Sequence, residues 1–277
     1  MIHLGLIGYP LEHSLSPKIH NAAFNACGLI GDYSLFLIAP NNQQALKDIL
    51  ARVRSGEIQG LNVTIPHKQN IIPLLDQLTP IAQAIGAVNT IYLREGKLIG
   101  DNTDAPSFLS DLKRFIGNRE LGTGNRKTAL VFGAGGSARA VVYALVNDGW
   151  KTTIAARRVE QAQQLAASFT QHALCITDYE SFILHPISFT LLVNATPIGM
   201  SPNIDQSPWP DYLSFPGAAI YDLVYNPRET KLVKDARAKE LPATTGLGML
   251  IEQAALAFEI WTGHNPSNNI LFKAMVE

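Results

Sequence analysis

The chain has 277 residues, of which 47% are hydrophobic and 16% charged, and its formal net charge is -1. This length and apolar content predict roughly two globular domains and exclude a disordered chain. The near-neutral charge disfavours binding to nucleic acid, which requires a basic surface to neutralise phosphates. No run of about 18 apolar residues is present, so no membrane-spanning helix is expected.

The cysteines, histidines and N-terminus give three further expectations. The two cysteines, Cys27 and Cys175, lie far apart, and the seven histidines form no H-E-x-x-H motif or comparable cluster, so no metal site is predicted. Sparse cysteine usage fits a reducing compartment. The run from Met1 to Gly8 is too short for the apolar core of a secretion signal and has no basic flank. We therefore expect a cytoplasmic protein.

Strand and helix patterns alternate along the first part of the chain. Apolar runs predict strands and one hairpin at Leu4–Gly8, Tyr33–Ile38, Leu61–Ile65, Thr90–Leu93 and Lys97–Gly100. Helices are predicted from Ser16 to about Cys27, from Asn41 or Asn42 to about Arg54, and from Asp104 to about Ile116. We expect Ser16 to cap the first of these helices, with Pro17 at the first helical position and a stop near Gly28.

The polar, glycine-rich segment 117–126 is interpreted as a loop between two units. Strand and helix patterns then alternate again, which predicts a parallel sheet covered by helices. The predicted strands are Ala129–Phe132, Thr152–Ala155, Leu191–Asn194 and Ala219–Asp222. The predicted helices are Ser137–Asn147, Glu160–Phe169, a long amphipathic helix after Gly248, and Asn268–Val276.

A glycine-rich turn directly follows the first strand of this second part. Residues Gly133-Ala134-Gly135-Gly136-Ser137-Ala138 match the pattern G-x-G-x-x-A. This pattern places backbone N–H groups and the positive end of a helix dipole against a pyrophosphate. An ordinary glycine turn is the alternative. The strand before the motif and the helix after it favour a Rossmann dinucleotide-binding domain.

The end of the next predicted strand indicates which nucleotide is bound. NAD-binding folds place an acidic residue there, about 20 residues after the glycine motif, to bind the ribose 2′-hydroxyl. This chain has Ala155-Ala156-Arg157-Arg158, and its first acid is Glu160. Two guanidinium groups can bind a 2′-phosphate through charge-assisted hydrogen bonds. NADP is therefore the predicted cofactor, with a pair of solvated surface arginines as the alternative.

Polar side chains lie at or near the strand ends of the first part. Each has an ordinary structural explanation: Ser16 and Asp104 as helix caps, Asn89 as a turn residue, Lys68 as a solvated charge. Together they suit a small, polyhydroxylated, anionic ligand, with hydroxyls for a carboxylate, amides for alcohols and a Lys–Asp pair for proton transfer. The residues are Ser14, Ser16, Asn62, Thr64, Lys68, Asn89 and Asp104. Asn62 and Thr64 are expected on one face of a strand.

Eight short runs, spread along the chain in a specific order, resemble one family, the shikimate dehydrogenases. They are Ser14-Leu15-Ser16-Pro17, Asn62-Val63-Thr64-Ile65-Pro66-His67-Lys68, Gly86-Ala87-Val88-Asn89-Thr90, Asn102-Thr103-Asp104, Gly133–Ala140, Asn194-Ala195-Thr196-Pro197-Ile198-Gly199-Met200, Tyr221-Asp222-Leu223-Val224-Tyr225-Asn226-Pro227 and Gly246-Leu247-Gly248-Met249-Leu250. The set is specific to this family, although no single run is.

This resemblance implies an α/β fold of two domains with a cleft between them. An N-terminal, mainly parallel α/β substrate domain would comprise residues 1–104 plus 247–277, and a Rossmann dinucleotide-binding domain residues 105–246. The implied reaction is the reversible, NADP-dependent reduction of 3-dehydroshikimate to shikimate, a step of aromatic amino-acid biosynthesis. A monomer or a homodimer is expected.

The resemblance also implies roles for individual residues. Lys68 would be the acid/base, paired with Asp104, and Tyr225 would lie near both the substrate and the nicotinamide. The substrate carboxylate would be bound by Ser14 and Ser16. The ring hydroxyls would be held by Asn62, Thr64, Asn89, Asp104 and Gln253. Beyond the glycine turn, the cofactor would be contacted by Ala156, Arg157, Arg158, Thr196, Met200, Leu223, Gly246 and Met249.

The nucleotide segment departs from the family pattern at Ala156. Relatives usually have the sequence Asn-Arg-Thr where this chain has Ala156-Arg157-Arg158. The contact of that asparagine with the adenosine is therefore missing, and an additional guanidinium is present. The absence of an acid still disfavours strict use of NAD.

Two other functions remain open at this point. A quinate or dual quinate/shikimate dehydrogenase of the same superfamily would differ mainly in tolerance of one further ring substituent. A catalytically inactive NADP-binding sensor would keep the fold, but it would not need an acid/base pair such as Lys68 and Asp104.

Overall fold

The structure, a computed structural model, describes residues 1–117, 127–169, 171–172, 174–178 and 189–276. The chain forms two compact units, Met1–Asp104 with Leu250–Glu277, and Ala105–Met249. The domains predicted from the sequence differ from these units only in residues 247–249. Most of the predicted loop 117–126 lies outside the described residues.

A six-stranded sheet forms the framework of the first unit. Its strands are β1 (Ile2–Gly8), β2 (Gly31–Leu37), β3 (Gly60–Val63), β4 (Gln77–Leu78), β5 (Thr90–Arg94) and β6 (Lys97–Asp101). They lie in the order β2-β1-β3-β5-β6-β4. Within this described sheet only β5 runs against the other strands. The prediction of a mainly parallel sheet is confirmed.

A second six-stranded sheet forms the framework of the other unit. Its strands are β7 (Thr128–Phe132), β8 (Lys151–Ala155), β9 (Cys175–Thr177), β10 (Leu191–Asn194), β11 (Ala219–Asp222) and β12 (Ala243–Thr245). All neighbouring strands pair in parallel, in the order β12-β11-β10-β7-β8-β9. Counted from β7, this is the order 3-2-1-4-5-6 of a Rossmann fold, which binds dinucleotides where the order reverses, beside its first strand.

Helices cover both sheets. Those described are α1 (Ser16–Cys27), α2 (Gln43–Arg54), α3 (His67–Asn70), α4 (Pro80–Ile85), α5 (Asp104–Ile116), α6 (Gly136–Asn147), α7 (Val159–Ala167), α8 (Lys231–Arg237), α9 (Leu247–Thr262) and α10 (Asn268–Val276). Among the described residues, no helix has both the length and the apolar character needed to traverse a lipid bilayer.

Helix α2 shows why the apolar pattern predicts this fold. Leu46, Ile49, Leu50 and Val53 recur at helical spacing and are all buried. They pack with strand residues such as Leu61 in one core. Burial of each such side chain stabilises the fold by roughly 1.5–3 kcal/mol. The apolar face of the helix therefore packs against the sheet.

The start of α1 differs from the prediction. Leu15, not Ser16, is the N-cap, no side-chain hydrogen bond caps the helix, and Pro17 follows Ser16 in its first turn. The backbone N–H of Ser16 instead faces the hydroxyl of Ser14 at 3.3 Å. This local turn replaces the predicted cap. The helix ends as predicted, with Gly28 in the left-handed region at φ 65°.

Asn42, rather than Asn41, caps α2, because its Oδ1 accepts a hydrogen bond from the Ala45 N–H at 3.0 Å. We expect Asn42→Ala to lower the free energy of unfolding by about 1 kcal/mol, since one helical N–H loses its partner. Asn41→Ala is the matched control and should change it by less than about 0.5 kcal/mol. Urea unfolding of both variants measures this difference, and equal losses would contradict the assignment.

The elements that the sequence pattern did not predict are short. They are the strands β4, β9 and β12, with two or three residues each, and the helices α3, α4 and α8, with four to seven. Such lengths are too short to show a period of 3.6 or 2 residues. Helix α4 nevertheless carried a signal, because Thr79 caps it, Pro80 begins it and Gly86 ends it.

Candidate functional site

Lys68 and Asp104 form a buried ion pair in the first unit. Lys68 lies in α3, and Asp104 is the first residue of α5. Lys68 Nζ is 2.5 Å from Asp104 Oδ2, and the two side chains are only 11% and 6% exposed. Because desolvation offsets much of the attraction between buried charges, such a pair contributes little to the free energy of unfolding. Its burial therefore indicates a role in catalysis or ligand binding.

Asn89 connects this ion pair to its surroundings. Its side-chain nitrogen donates hydrogen bonds to Asp104 Oδ1 and Thr103 Oγ1, both at 2.9 Å. Its Oδ1 accepts a hydrogen bond from the Thr103 N–H at 2.8 Å. The Oε1 of Gln253, on α9, lies 3.4 Å from the same Asn89 nitrogen. Asp104 is thus bound at both carboxylate oxygens, which fixes its orientation toward Lys68.

Asn62, near the end of β3, joins the same polar group. Its Nδ2 donates to the Asn89 carbonyl at 3.1 Å, and its Oδ1 accepts from the Tyr33 hydroxyl at 2.7 Å. The ring of Tyr33 stacks on His20, with the centroids 4.1 Å apart. The structure therefore brings together Lys68, Asn62, Asn89, Asp104 and Gln253, five of the residues predicted from the sequence.

Ser14 and Thr64 lie on the loops that follow β1 and β3, and Ser16 lies directly after the first of these loops. Ser16 begins α1 and is buried. Thr64 lies one residue past β3, and its N–H still donates to the Ile7 carbonyl of β1 at 2.9 Å. A side chain on Gly8 would lie 2.4 Å from Thr64 Cγ2, so a glycine is needed for this close approach.

In the second unit, the glycine turn joins β7 to α6. Gly133 has φ 109°, and a Cβ there would lie 3.1 Å from Ala195 O and from Thr196 Cγ2. Gly135 is the N-cap of α6, which has neither a side-chain cap nor an acid in its first turn. The N-terminus of α6 is thus suited to bind an anion. Ala138 is fully buried, as expected where helix and sheet pack closely.

Ala156, Arg157 and Arg158 directly follow β8, the neighbour of β7. Ala156 is buried, whereas both arginines are exposed. Arg158 is the N-cap of α7, and no acid lies between Ala155 and Val159. The end of β8 therefore carries two exposed cations and no carboxylate.

A buried carboxylate, Asp222, connects the loops that follow β10 and β11. Its Oδ1 accepts hydrogen bonds from Asn194 Nδ2 at 2.8 Å and from the Val224 N–H at 3.0 Å. Its Oδ2 accepts from the Thr230 hydroxyl at 2.7 Å. Asn194 in turn accepts from the Thr196 N–H at 3.0 Å and from the Thr196 hydroxyl at 2.7 Å.

The other predicted cofactor residues lie on neighbouring loops of the same unit. Leu223 and Gly246 are in close contact, because a Cβ on Gly246 would lie 2.3 Å from Leu223 O. Met249 is buried, and Met200 is 39% exposed. Burial raises the pKa of the Tyr225 hydroxyl. The predicted cofactor residues thus follow β7, β8, β10, β11 and β12 at their carboxyl ends, where Rossmann folds bind ligands.

Asp222 and His20 are two of the buried groups whose pKa values are strongly shifted. Burial raises the pKa of Asp222 to about 6, although hydrogen bonds from Thr230, Val224 and Asn194 lower it. Burial lowers the pKa of His20 to about 3, against a raising contribution from the Asn62 side chain. Among the described residues, no cluster of His, Cys, Asp or Glu side chains could hold a metal ion.

These shifts predict that Asp222→Asn makes acidification more destabilising. Asp222 binds a proton more tightly in the folded chain than at its ordinary pKa of 3.8, so its protonation stabilises the fold as pH falls from about 6 to 4. His20 acts oppositely, because below about pH 6.5 the unfolded chain takes up a proton that the folded chain excludes down to about pH 3. The two contributions largely cancel between pH 4 and 6, and Asp222→Asn leaves only that of His20.

As the pH is lowered from about 6 to 4, the free energy of unfolding of Asp222→Asn should therefore fall by about 1.4 kcal/mol more per pH unit than that of the wild type. Urea unfolding at several pH values in this window measures the slope. His20→Gln is the matched control and should change the slope by the same amount in the opposite direction. Parallel pH profiles for all three proteins would show that neither group titrates in this way.

Three family models match the chain along its length. The shikimate dehydrogenase substrate binding domain matches residues 6–91, and the shikimate / quinate 5-dehydrogenase model matches residues 116–196. The shikimate 5'-dehydrogenase C-terminal domain matches residues 246–270. A relative from Salinibacter ruber, a shikimate dehydrogenase (NADP(+)), is 43% identical over 278 residues, which cover 98% of this chain and 95% of the relative.

The chain belongs to the shikimate dehydrogenase family.

Solved structures of the family have the same fold. A shikimate 5-dehydrogenase from Thermus thermophilus, in complex with NADP(H) and shikimate, has a TM-score of 0.85 at 40% identity, with 99% of this chain and 98% of that chain covered. A quinate dehydrogenase from Corynebacterium glutamicum, in complex with NAD, has a TM-score of 0.87 at 32% identity, with 99% and 98% covered. The predicted two-domain α/β fold with a Rossmann domain is confirmed, as is the resemblance to this family.

Several residues were not predicted from the sequence, although they hold the polar side chains around the Lys68–Asp104 pair or the loops around Asp222 in place. Thr103 bonds Asn89, Tyr33 bonds Asn62, and Asp222 links two loops. The sequence could have indicated Thr103, since it lies in the polar run before α5 next to Asp104. It could also have indicated Asp222, because a charged residue at the end of an apolar strand requires a hydrogen-bonding or charged partner.

Proposed function

We propose that this chain is a cytoplasmic, NADP-dependent shikimate dehydrogenase, which reversibly reduces 3-dehydroshikimate to shikimate in aromatic amino-acid biosynthesis. The observation that carries this proposal is the buried Lys68–Asp104 ion pair, held by Asn89 among other amide and hydroxyl side chains. A buried cation among hydrogen-bonding groups suits a small polar ketone. Family membership supplies the identity of that ketone.

Lys68 is assigned as the acid/base of the reaction. Bound NADPH supplies a hydride to the carbonyl carbon of the substrate. Negative charge then develops on the carbonyl oxygen, where the ammonium group of Lys68 stabilises it and donates the proton. In the direction of shikimate oxidation, Lys68 accepts the hydroxyl proton instead. Asp104, fixed at its other oxygen by Asn89, orients the ammonium group throughout.

The substrate carboxylate is assigned to Ser14 and Ser16. Both hydroxyls lie at the N-terminal end of α1, which has no acidic residue in its first turn and no side-chain cap. The positive end of the helix dipole and a hydroxyl pair favour an anion there. The ring hydroxyls are assigned to the polar group around the ion pair, namely Asn62, Thr64, Asn89, Asp104 and Gln253.

The second unit is assigned to NADP. The uncapped N-terminus of α6 and the glycine turn with φ 109° at Gly133 fit the pyrophosphate. The exposed Arg157 and Arg158 fit the 2′-phosphate. The nicotinamide side is assigned to Thr196, Met200, Leu223, Tyr225, Gly246 and Met249.

Quinate oxidation is the second candidate function. The quinate dehydrogenase that covers 99% of this chain at 32% identity supports it, and that relative was solved with NAD. Quinate carries one further ring substituent. Two exposed arginines after β8, without an acid, favour NADP, the nucleotide for which the shikimate dehydrogenase of Salinibacter ruber is named.

A single assay tests these proposals. Shikimate and quinate are each combined with NADP and with NAD, and the near-ultraviolet absorbance of the reduced nucleotide is followed. Strong activity with shikimate and NADP alone is expected. Comparable activity with quinate or NAD would assign the chain to the dual-specificity relatives. No activity in any combination, with a folded protein, would favour the NADP-binding sensor.

A further inference from the structure

We propose that Asp222 is a positioning residue for NADP, which holds the loops after β10 and β11 in the arrangement that cofactor binding requires. This inference rests on the proposed function, because it assigns a role toward the same cofactor. Asp222 itself is fully buried and is not proposed to touch NADP. It would act through the residues that it bonds.

The position of Asp222 in the sheet allows it to act on several loops at once. It is the last residue of β11, and in the register of the sheet it pairs with Asn194 at the end of β10 and with Thr245 at the end of β12. Predicted cofactor residues follow each of these strand ends within two residues. Thr196 follows β10, Leu223 follows β11, and Gly246 follows β12.

Hydrogen bonds lead from Asp222 to the glycine turn. Asp222 accepts from Asn194 at 2.8 Å, and Asn194 accepts from both the N–H and the hydroxyl of Thr196. The methyl group of Thr196 then lies against Gly133, within 3.1 Å of where a Cβ would stand. The arrangement of the β10 loop beside the predicted pyrophosphate turn thus depends on a bond to Asp222.

A second set of bonds fixes the β11 loop. The Val224 N–H donates to Asp222 at 3.0 Å, and the Thr230 hydroxyl at 2.7 Å. Thr230 also caps α8, since its hydroxyl accepts from the Val233 N–H at 3.3 Å. The segment that carries Leu223 and Tyr225 is therefore held at both ends.

The three groups that bond Asp222 are neutral, so the carboxylate is not one half of an ion pair. Its contribution is that of an acceptor for three donors that come from three different segments. Asparagine would keep the carbonyl acceptor for Asn194 and Val224 and could donate to Thr230 Oγ1 instead. Alanine would leave all three donors without this partner. These two substitutions separate loop positioning from the mere presence of a charge.

The test compares Asp222→Ala, Asp222→Asn and a control, Leu145→Ala. Leu145 is fully buried near the end of α6 that is remote from the glycine turn, so its truncation lowers the thermal stability without altering the two loops. Calorimetric titration with NADP gives Kd, and the assay with shikimate gives kcat and KM. Thermal unfolding gives the stability of each protein.

We expect Asp222→Ala to raise the Kd for NADP by about tenfold, because loops that have lost a buried acceptor no longer keep the binding geometry. Asp222→Asn should restore Kd to within about threefold of the wild type. The KM for shikimate, whose proposed ligands are mostly in the first unit, should stay within about twofold in both variants. Leu145→Ala should leave Kd for NADP unchanged.

An unchanged Kd in folded Asp222→Ala would overturn the inference, as would an equal rise of Kd in Leu145→Ala. If Asp222→Ala does not fold, Thr230→Val replaces it. That variant removes one of the three donors and should raise Kd by a few-fold, and an unchanged Kd would again overturn the proposal. The titration needs no turnover, so a wild type that binds NADP but does not oxidise shikimate would overturn the proposed function and not this inference.

Discussion

Lys68→Ala is expected to lower kcat for shikimate oxidation by about 10³-fold, the scale on which a positioned acid/base contributes to catalysis. The substitution removes both the proton acceptor and the cation that stabilises the charge on the reacting oxygen. Binding of NADP should be nearly unchanged, because the residues assigned to it are in the second unit. Steady-state kinetics and calorimetric titration with NADP measure the two effects separately.

Loss of Lys68 also leaves Asp104 buried without its cation, which lowers the stability of the fold. The double variant Lys68→Ala/Asp104→Asn removes this unpaired charge, so it should regain stability but no activity. Lys47→Ala is the matched control, since Lys47 is an exposed lysine on α2 and should keep full turnover. If Lys68→Ala kept kcat within about tenfold of the wild type, Lys68 would not be the acid/base.

The sequence predicted most of the fold because its elements carry strong local patterns. Apolar runs bounded by glycine, proline or asparagine identified β1, β3, β7, β10 and β11 to within a few residues. The hairpin of β5 and β6 was predicted from its turn, where Glu95 and Gly96 both have positive φ. Elements of a few residues, such as β9 and β12, are instead determined by pairing with a neighbouring strand, which the local sequence does not encode.

The sequence predicted which residue types form the candidate site, but it predicted few of the hydrogen bonds between them. Lys68 and Asp104 are far apart in the sequence, and their residue types and the resemblance paired them before the structure placed them 2.5 Å apart. The bonds of Asn89 to Thr103 and Asp104 depend on how the chain before β5 lies beside the start of α5. No periodicity describes such a contact, because it depends on the tertiary packing of loops.

The exposed arginine pair after β8 is the proposed binding group for the 2′-phosphate of NADP. Replacement of Arg157 and Arg158 by alanine is expected to raise the Kd for NADP by roughly 10²-fold, the loss of two charge-assisted hydrogen bonds at a partly exposed position. The Kd for NAD should change by less than about threefold, because NAD has no 2′-phosphate for the guanidinium groups to bind.

The discrimination between the two nucleotides decides this prediction, and calorimetric titration with each nucleotide measures it. The matched control is Lys151→Ala/Lys239→Ala, which removes the same charge from two exposed lysines, one of them at the opposite end of β8. This control should weaken NADP binding little, and a nonspecific charge effect would weaken it as much as the arginine variant does. Equal losses for NADP and NAD in the arginine variant would mean that neither side chain meets the 2′-phosphate. In that case the buried Ala156, where the family resemblance leads us to expect asparagine, would be the position at which to restore a contact with the nucleotide.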